Sequence, residues 1–81
     1  MKELSSYAEI LLKSIVCEPD LLKVSTFELD DKIKLDIMVS KEDMGRVIGK
    51  NGKTIQAIRT LIAVYAYQYK LPRVDVNVES I

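Results

Sequence analysis

Apolar residues near the start of the chain recur with the period of a helix. Leu4, Tyr7, Ala8, Leu11 and Ile15 fall at i, i+3, i+4, i+7 spacing, while Glu3, Glu9 and Lys13 take the other side. Residues 4–17 are therefore predicted as an amphipathic helix. Pro19 ends it, having no N–H and disfavouring helical geometry just before it. The period then changes to two. Leu22, Val24 and Thr26 alternate with Lys23, Ser25 and Phe27. Asp30-Asp31 reads as a tight turn. Ile33, Leu35, Ile37 and Val39 then alternate with Lys32, Lys34, Asp36 and Met38, the pattern of a strand with one buried face. The two strands form a hairpin.

Ser40-Lys41-Glu42-Asp43 reads as a helix start, with Ser40 accepting a backbone N–H and the acids at the positive end of the helix dipole. Gly49 and Gly52 keep this helix short. A second helix is predicted from about Lys53 to Tyr69, halted before Pro72. Val74, Val76 and Val78, alternating with Asp75, Asn77 and Glu79, make a last strand. The order α-β-β-α-α-β is an α+β domain with a three-stranded mixed sheet and helices packed on one face. A right-handed helical crossover would lay the last strand parallel to the one ending at Val39, although the pattern also permits an antiparallel arrangement.

Composition narrows the chemistry. The 81 residues make one domain, residues 1–81, with 48% apolar residues, 12 basic and 12 acidic side chains and no histidine. A chain of this length buries only roughly 60–65% of its unfolded surface, so its stability margin is thin. The single cysteine, Cys17, excludes an intrachain disulfide and fits a reducing, cytoplasmic setting. Without histidine there is no His-assisted nucleophile and no Cys/His zinc site. Asp30-Asp31 and Glu42-Asp43 are already explained by a turn and a helix start. No catalytic residue, metal or cofactor is expected, and the chain is not read as an enzyme. No apolar run reaches the length of a membrane span, and Met1-Lys2-Glu3 lacks the features of a signal peptide.

The most informative stretch is Gly45-Arg46-Val47-Ile48-Gly49-Lys50-Asn51-Gly52-Lys53-Thr54-Ile55. Glycines permit positive φ and close backbone approach to a ligand, and N–H groups opening a helix favour an anion. Lys50 and Lys53 flank that point, with Arg46 one turn earlier. The charge is local. Residues 1–40 carry five bases and eight acids, residues 41–59 five bases and two acids, and residues 60–81 two of each. A basic patch thus lies over the glycine loop of a neutral chain, the distribution that matters for nucleic acid.

Val47-Ile48-Gly49-Lys50-Asn51-Gly52-Lys53-Thr54-Ile55 resembles the VIGxxGxxI core of the KH domain, an RNA-binding module whose GxxG loop clamps the nucleotide backbone. The element order resembles the type II, prokaryotic KH fold over nearly the whole chain, and the lead-in Asp43-Met44-Gly45 resembles the small bacterial single-KH proteins. The resemblance implies cytoplasmic binding of single-stranded RNA and self-association as a homodimer. It also implies pairing with a larger KH-containing protein (KhpB, also called Jag or EloR), with effects on cell elongation and division. Gly49 and Gly52 would be the defining loop glycines, and Lys50 and Asn51 the variable pair on phosphate and sugar. Val47, Ile48 and Ile55 would pack under the loop and help floor the nucleotide groove. Arg46 and Lys53 would face the backbone, with Arg59 further along. Base reading would fall to the strand edge near Asp36, Ile37 and Met38.

Two features have ordinary explanations, and a third points to a partner. Tyr65 and Tyr69 share a face with Ile58 and Ile62 and are read as core or near-core, and only Tyr67 points elsewhere. Cys17 is read as a small apolar filler. The second helix carries one apolar stripe of Ile55, Ile58, Ile62, Tyr65 and Tyr69, and another of Ala57, Leu61, Val64 and Gln68. The second stripe leaves the core edge and suits a two-fold dimer interface, unless the first helix covers it.

Overall fold

The computed structural model describes residues 2–81. Helix α1 (Lys2–Lys13) is followed by strands β1 (Lys23–Glu28) and β2 (Lys32–Val39), helices α2 (Met44–Ile48) and α3 (Lys53–Gln68), and strand β3 (Arg73–Ser80). This is the predicted order, with α1 ending four residues early. The Ser14 hydroxyl donates to Leu11 O at 2.6 Å, and the N–H groups of Ile15 and Val16 both turn to Leu12 O at 3.0 Å. The next two N–H groups, of Cys17 and Glu18, leave for the Asp43 carboxylate. A helix loses its continuation when side-chain acceptors claim its next donors. A short 3₁₀ turn follows over Pro19–Leu21.

The buried line of α1 is Leu4, Ala8 and Leu12, with Tyr7, Leu11 and Ile15 partly buried beside it. The buried face is thus centred on a straight i, i+4, i+8 row that includes Leu12. In the hairpin, Lys23 pairs with Met38 and Glu28 with Ile33, and Leu29 N–H donates to Lys32 O at 2.8 Å. That leaves Asp30-Asp31 as a two-residue turn, as the sequence predicts.

Strand β2 lies in the centre of the sheet, antiparallel to β1 and parallel to β3. Ile33, Leu35, Ile37 and Val39 are at most 1% exposed and meet Val47, Ile55, Ile58 and Ile62 from the helices. Each such aliphatic side chain contributes about 1.5–3 kcal/mol by leaving water. The alternate residues of β2 face away from the helices. There Lys32 Nζ lies 3.1 Å and Arg73 Nε 3.3 Å from the Asp75 carboxylate. The hydrogen bond from Lys32 leads in holding the Asp75 carboxyl below its usual value. On the same uncovered face Asp36 keeps one carboxylate oxygen shielded and without a hydrogen-bond partner.

Candidate nucleic-acid interface

Asp43 sets the start of the glycine segment. Ser40 receives the Asp43 N–H as the sequence implies, through its hydroxyl at 3.2 Å and its carbonyl at 3.0 Å. This bond closes a turn over residues 41–43, so α2 begins only at Met44. The Asp43 side chain does not cap α2. It is 1% exposed, and its carboxylate accepts the N–H of Cys17 at 3.0 Å and of Glu18 at 2.9 Å. The Cys17 hydrogen bond leads in lowering the Asp43 pKa. The Glu18 and Ser40 bonds and the charge of Arg46 also lower it, while burial opposes them. Arg46 Nε stands 4.0 Å from Asp43 Oδ1.

Helix α2 ends at Gly49, whose φ of 77° and ψ of 170° belong to a region open essentially to glycine alone. Space makes the same demand. A Cβ there would lie 2.7 Å from Thr54 Cβ and 2.8 Å from Thr54 N, and would overlap Thr54 Oγ1. Asn51 and Gly52 are left-handed, at φ 57° and 74°. At Gly52 a Cβ would find its nearest neighbour at 4.0 Å, so its requirement is conformational. Asparagine suits position 51 because its short polar side chain tolerates this region.

The turn is closed by Gly49 N–H to Gly45 O at 2.8 Å and Gly52 N–H to Gly49 O at 3.1 Å. Among the described residues no backbone acceptor takes the N–H of Lys50 or Asn51. Both side chains are exposed, and the sixteen-residue α3 begins immediately after. Unsatisfied N–H groups beside a helix N-terminus favour an anion.

The structure brings Arg46, Lys50, Asn51 and Lys53 to the surface around this turn. Among the described residues Lys50, Lys53 and Arg59 form no ion pair. Between Asp43 and Asp75 the chain holds no acid, but it does hold Arg46, Lys50, Lys53, Arg59, Lys70 and Arg73. Arg59 stands apart, about 9 Å along the helix axis from Lys53 and roughly 120° around it by helical geometry. Val47 and Ile55 are 0% and 5% exposed. They pack under the loop but offer a base no surface, and of the three proposed floor residues only Ile48 keeps a partly open side chain.

Two expectations need correction. The edge near Asp36, Ile37 and Met38 does not exist, because β2 is paired on both sides along its length. The sheet's free edges belong to β1 and β3. Both α2 and α3 contact β3, so the free edge nearer the glycine loop is that of β3. Cys17 is exposed and fills no apolar space. Its contribution is the backbone N–H it gives to Asp43.

The tyrosines divide differently from the prediction. Tyr65 is half-buried, but Tyr69 is 62% exposed and Ala66 takes its place in the core, because α3 ends at Gln68. Ala57, Leu61, Val64 and Gln68 are all exposed, with Leu61 at 43% and Val64 at 59%. Helix α1 touches α3 but leaves this stripe open, so the first helix does not cover it.

Asp43 and Thr54 are the residues that sequence reasoning missed. Asp43 is the buried tie between the 17–18 bend and α2, and Thr54 is the close neighbour that makes Gly49 obligatory. Asp43 adjoins the motif, but its partners lie 25 and 26 residues away and left no local signal. Among the described residues no group of His, Cys, Asp or Glu is arranged to hold a metal. No helix among the described residues is long and apolar enough to cross a membrane.

The family model "KhpA/KhpB, KH domain" matches residues 5–78. Proteins named "RNA-binding protein KhpA" are similar over most of their length. That of Clostridium perfringens is 44% identical over 66 residues, covering 82% of this chain and 84% of the relative. That of Clostridium acetobutylicum is 45% identical over 58 residues, covering 72% and 77%. That of Streptococcus pneumoniae serotype 4 is 30% identical over 67 residues, covering 83% and 85%. The fold, the glycine turn and these matches lead to one statement: the chain belongs to the KhpA/KhpB KH-domain family, whose members are binding modules and not enzymes.

Proposed function

We propose that this protein binds single-stranded RNA, with the Gly49–Gly52 turn holding the sugar-phosphate backbone. One observation carries the reading. The turn exposes Lys50 and Asn51, whose N–H groups no backbone acceptor takes among the described residues, inside a segment that holds six cations and no acid. Lys50, Lys53 and Arg46 supply charge to phosphate, and Asn51 supplies hydrogen bonds to the sugar or phosphate. Two to four phosphate contacts per domain make binding weak and tolerant of sequence. The logarithm of affinity should fall with the logarithm of salt at a slope of about −1.5 to −3.

Fluorescence anisotropy of a short mixed-sequence RNA tests this, comparing wild type with Lys50→Asp/Asn51→Asp. Aspartate tolerates the left-handed position 51, and both glycines remain, so the variant should fold. Wild type should bind with the stated salt slope, and the variant should lose at least about tenfold at low salt. Equal binding by the two proteins sinks the clamp.

A second reading rests on the open stripe of α3. A two-fold contact through Ala57, Leu61, Val64 and Gln68 would cover it, giving a homodimer with two clamps on one RNA and gains in effective concentration. The same surface suits pairing with a larger KH-containing partner of the KhpB, Jag or EloR kind, in a cytoplasmic role linked to cell elongation and division. If that is the chief role, RNA binding is secondary and the chain regulates a partner protein. Leu61→Asp should give a monomer in sedimentation while leaving the loop intact. A dimer that persists in this variant ends the interface assignment.

A further inference from the structure

At the end of α3 far from the glycine loop, the structure holds a cleft of about 440 Å³ lined by Glu3, Leu4, Tyr65, Tyr69 and Leu71. Its size lies within the range of small-ligand pockets. Its aromatic wall is built in advance. Tyr7 stacks on Tyr65 with ring centroids 4.6 Å apart and planes at 22°, and Tyr65 meets Tyr69 at 4.6 Å and 37°. Tyr69 is the outer ring of this ladder and remains 62% exposed. Leu71, partly open, supplies aliphatic wall, and the fully buried Leu4 lies beneath. Burial leads in pushing the Tyr65 phenol up, with the neighbouring Tyr69 and Glu3 adding to it. Among the described residues no cation pairs with Glu3. Lys70 stands between two lining residues without lining the cleft.

Stacked electron-rich rings, an aliphatic wall and a carboxylate form a receptor for an organic cation on an apolar stem. A phosphodiester is a poor occupant, since among the described residues Glu3 is the one charged group that lines the cleft. We propose that this cleft receives an arginine side chain from a basic peptide segment of a partner protein, as a site separate from the glycine loop. The guanidinium lies on the exposed Tyr69 ring and donates to the Glu3 carboxylate, while its methylenes run along Leu71. Arginine is preferred over lysine because its planar, weakly hydrated head stacks on an aromatic face.

Two-dimensional NMR of the full chain, titrated with N-acetylarginine amide, tests this directly. Its neutral isostere N-acetylcitrulline amide and adenosine 5′-monophosphate serve as comparisons. The expected result is a saturable, millimolar response at Leu4, Tyr65, Tyr69 and Leu71 for the arginine probe. The citrulline probe should bind about fivefold more weakly, and Glu3→Gln and Tyr69→Ala should each weaken the arginine probe by about three- to fivefold. Both substituted side chains are exposed, so unchanged signals elsewhere verify the fold. No saturable response at these residues overturns the assignment. So does equal binding of the citrulline probe, or indifference to Glu3→Gln. Tighter binding of the nucleotide at the same residues also overturns it, and makes the cleft a base-stacking site instead.

Discussion

The two ends of α3 both use positive φ, for opposite purposes. At its start Gly49, Asn51 and Gly52 have positive φ, and at its end Lys70 does too, at 57°. Lys70 N–H bonds to Tyr67 O at 3.2 Å and Leu71 N–H to Ala66 O at 2.8 Å. This paired pattern terminates many helices and usually carries glycine at the left-handed position. Here lysine fills it, in open surroundings, at a cost of about 1 kcal/mol. At Gly49 no such compromise is open, because the Thr54 backbone occupies the place of a side chain. A positive φ alone therefore does not mark a site. Positive φ together with a close approach and unclaimed N–H groups does.

That contrast can be broken at its strong end first. Gly49→Ala must both enter a glycine-only conformation and displace a backbone nitrogen, so it should lower stability by about 3 kcal/mol. Urea unfolding followed by circular dichroism measures it, and a loss no larger than that of Gly52→Ala would remove the close-approach argument.

Asp43→Asn comes next and carries a pH signature. The folded state holds the Asp43 carboxyl below its ordinary value of 3.8, chiefly through the Cys17 N–H. Its contribution is therefore fully present above pH 3.8 and fades as pH falls through the folded value. Asparagine should lower the urea midpoint at pH 7, and the gap from wild type should narrow below pH 3.8. A gap that stays constant down to pH 2.5 would mean the ionised carboxylate is not what matters.

The weak end gives the smallest effect. Lys70→Gly relieves the left-handed lysine but adds freedom to the unfolded chain, for a net gain of about 0.5 kcal/mol. A decrease in thermal midpoint would show that Lys70 makes a compensating contact.

The same distinction governs what the sequence disclosed. Strand β2, the hairpin turn and α3 were legible because period and turn chemistry are local properties of neighbouring residues. The glycine turn was legible because its residue types have few other uses in that spacing. Asp43 read as a helix-start acid, since nothing near it in sequence reveals that its acceptors serve Cys17 and Glu18. The free strand edge was misplaced because strand order in a mixed sheet is set by long-range packing, which put β2 in the middle. Tyr69 reads as core or near-core only while the 100° rotation is extended one residue past Gln68, where α3 stops.

The position of β2 also sets an order of assembly. Its pairing with β1 closes a two-residue turn, whereas its pairing with β3 must wait for residues 40–72 to fold back across the sheet. Loop closure of that length opposes early formation, which favours the hairpin forming before the parallel ladder. The glycine turn lies inside the crossover that joins this last pair. A ligand that grips the turn therefore restrains the segment that must close for β3 to pair. Occupancy should therefore appear as slower unfolding of β3 in hydrogen exchange, with little change in the hairpin.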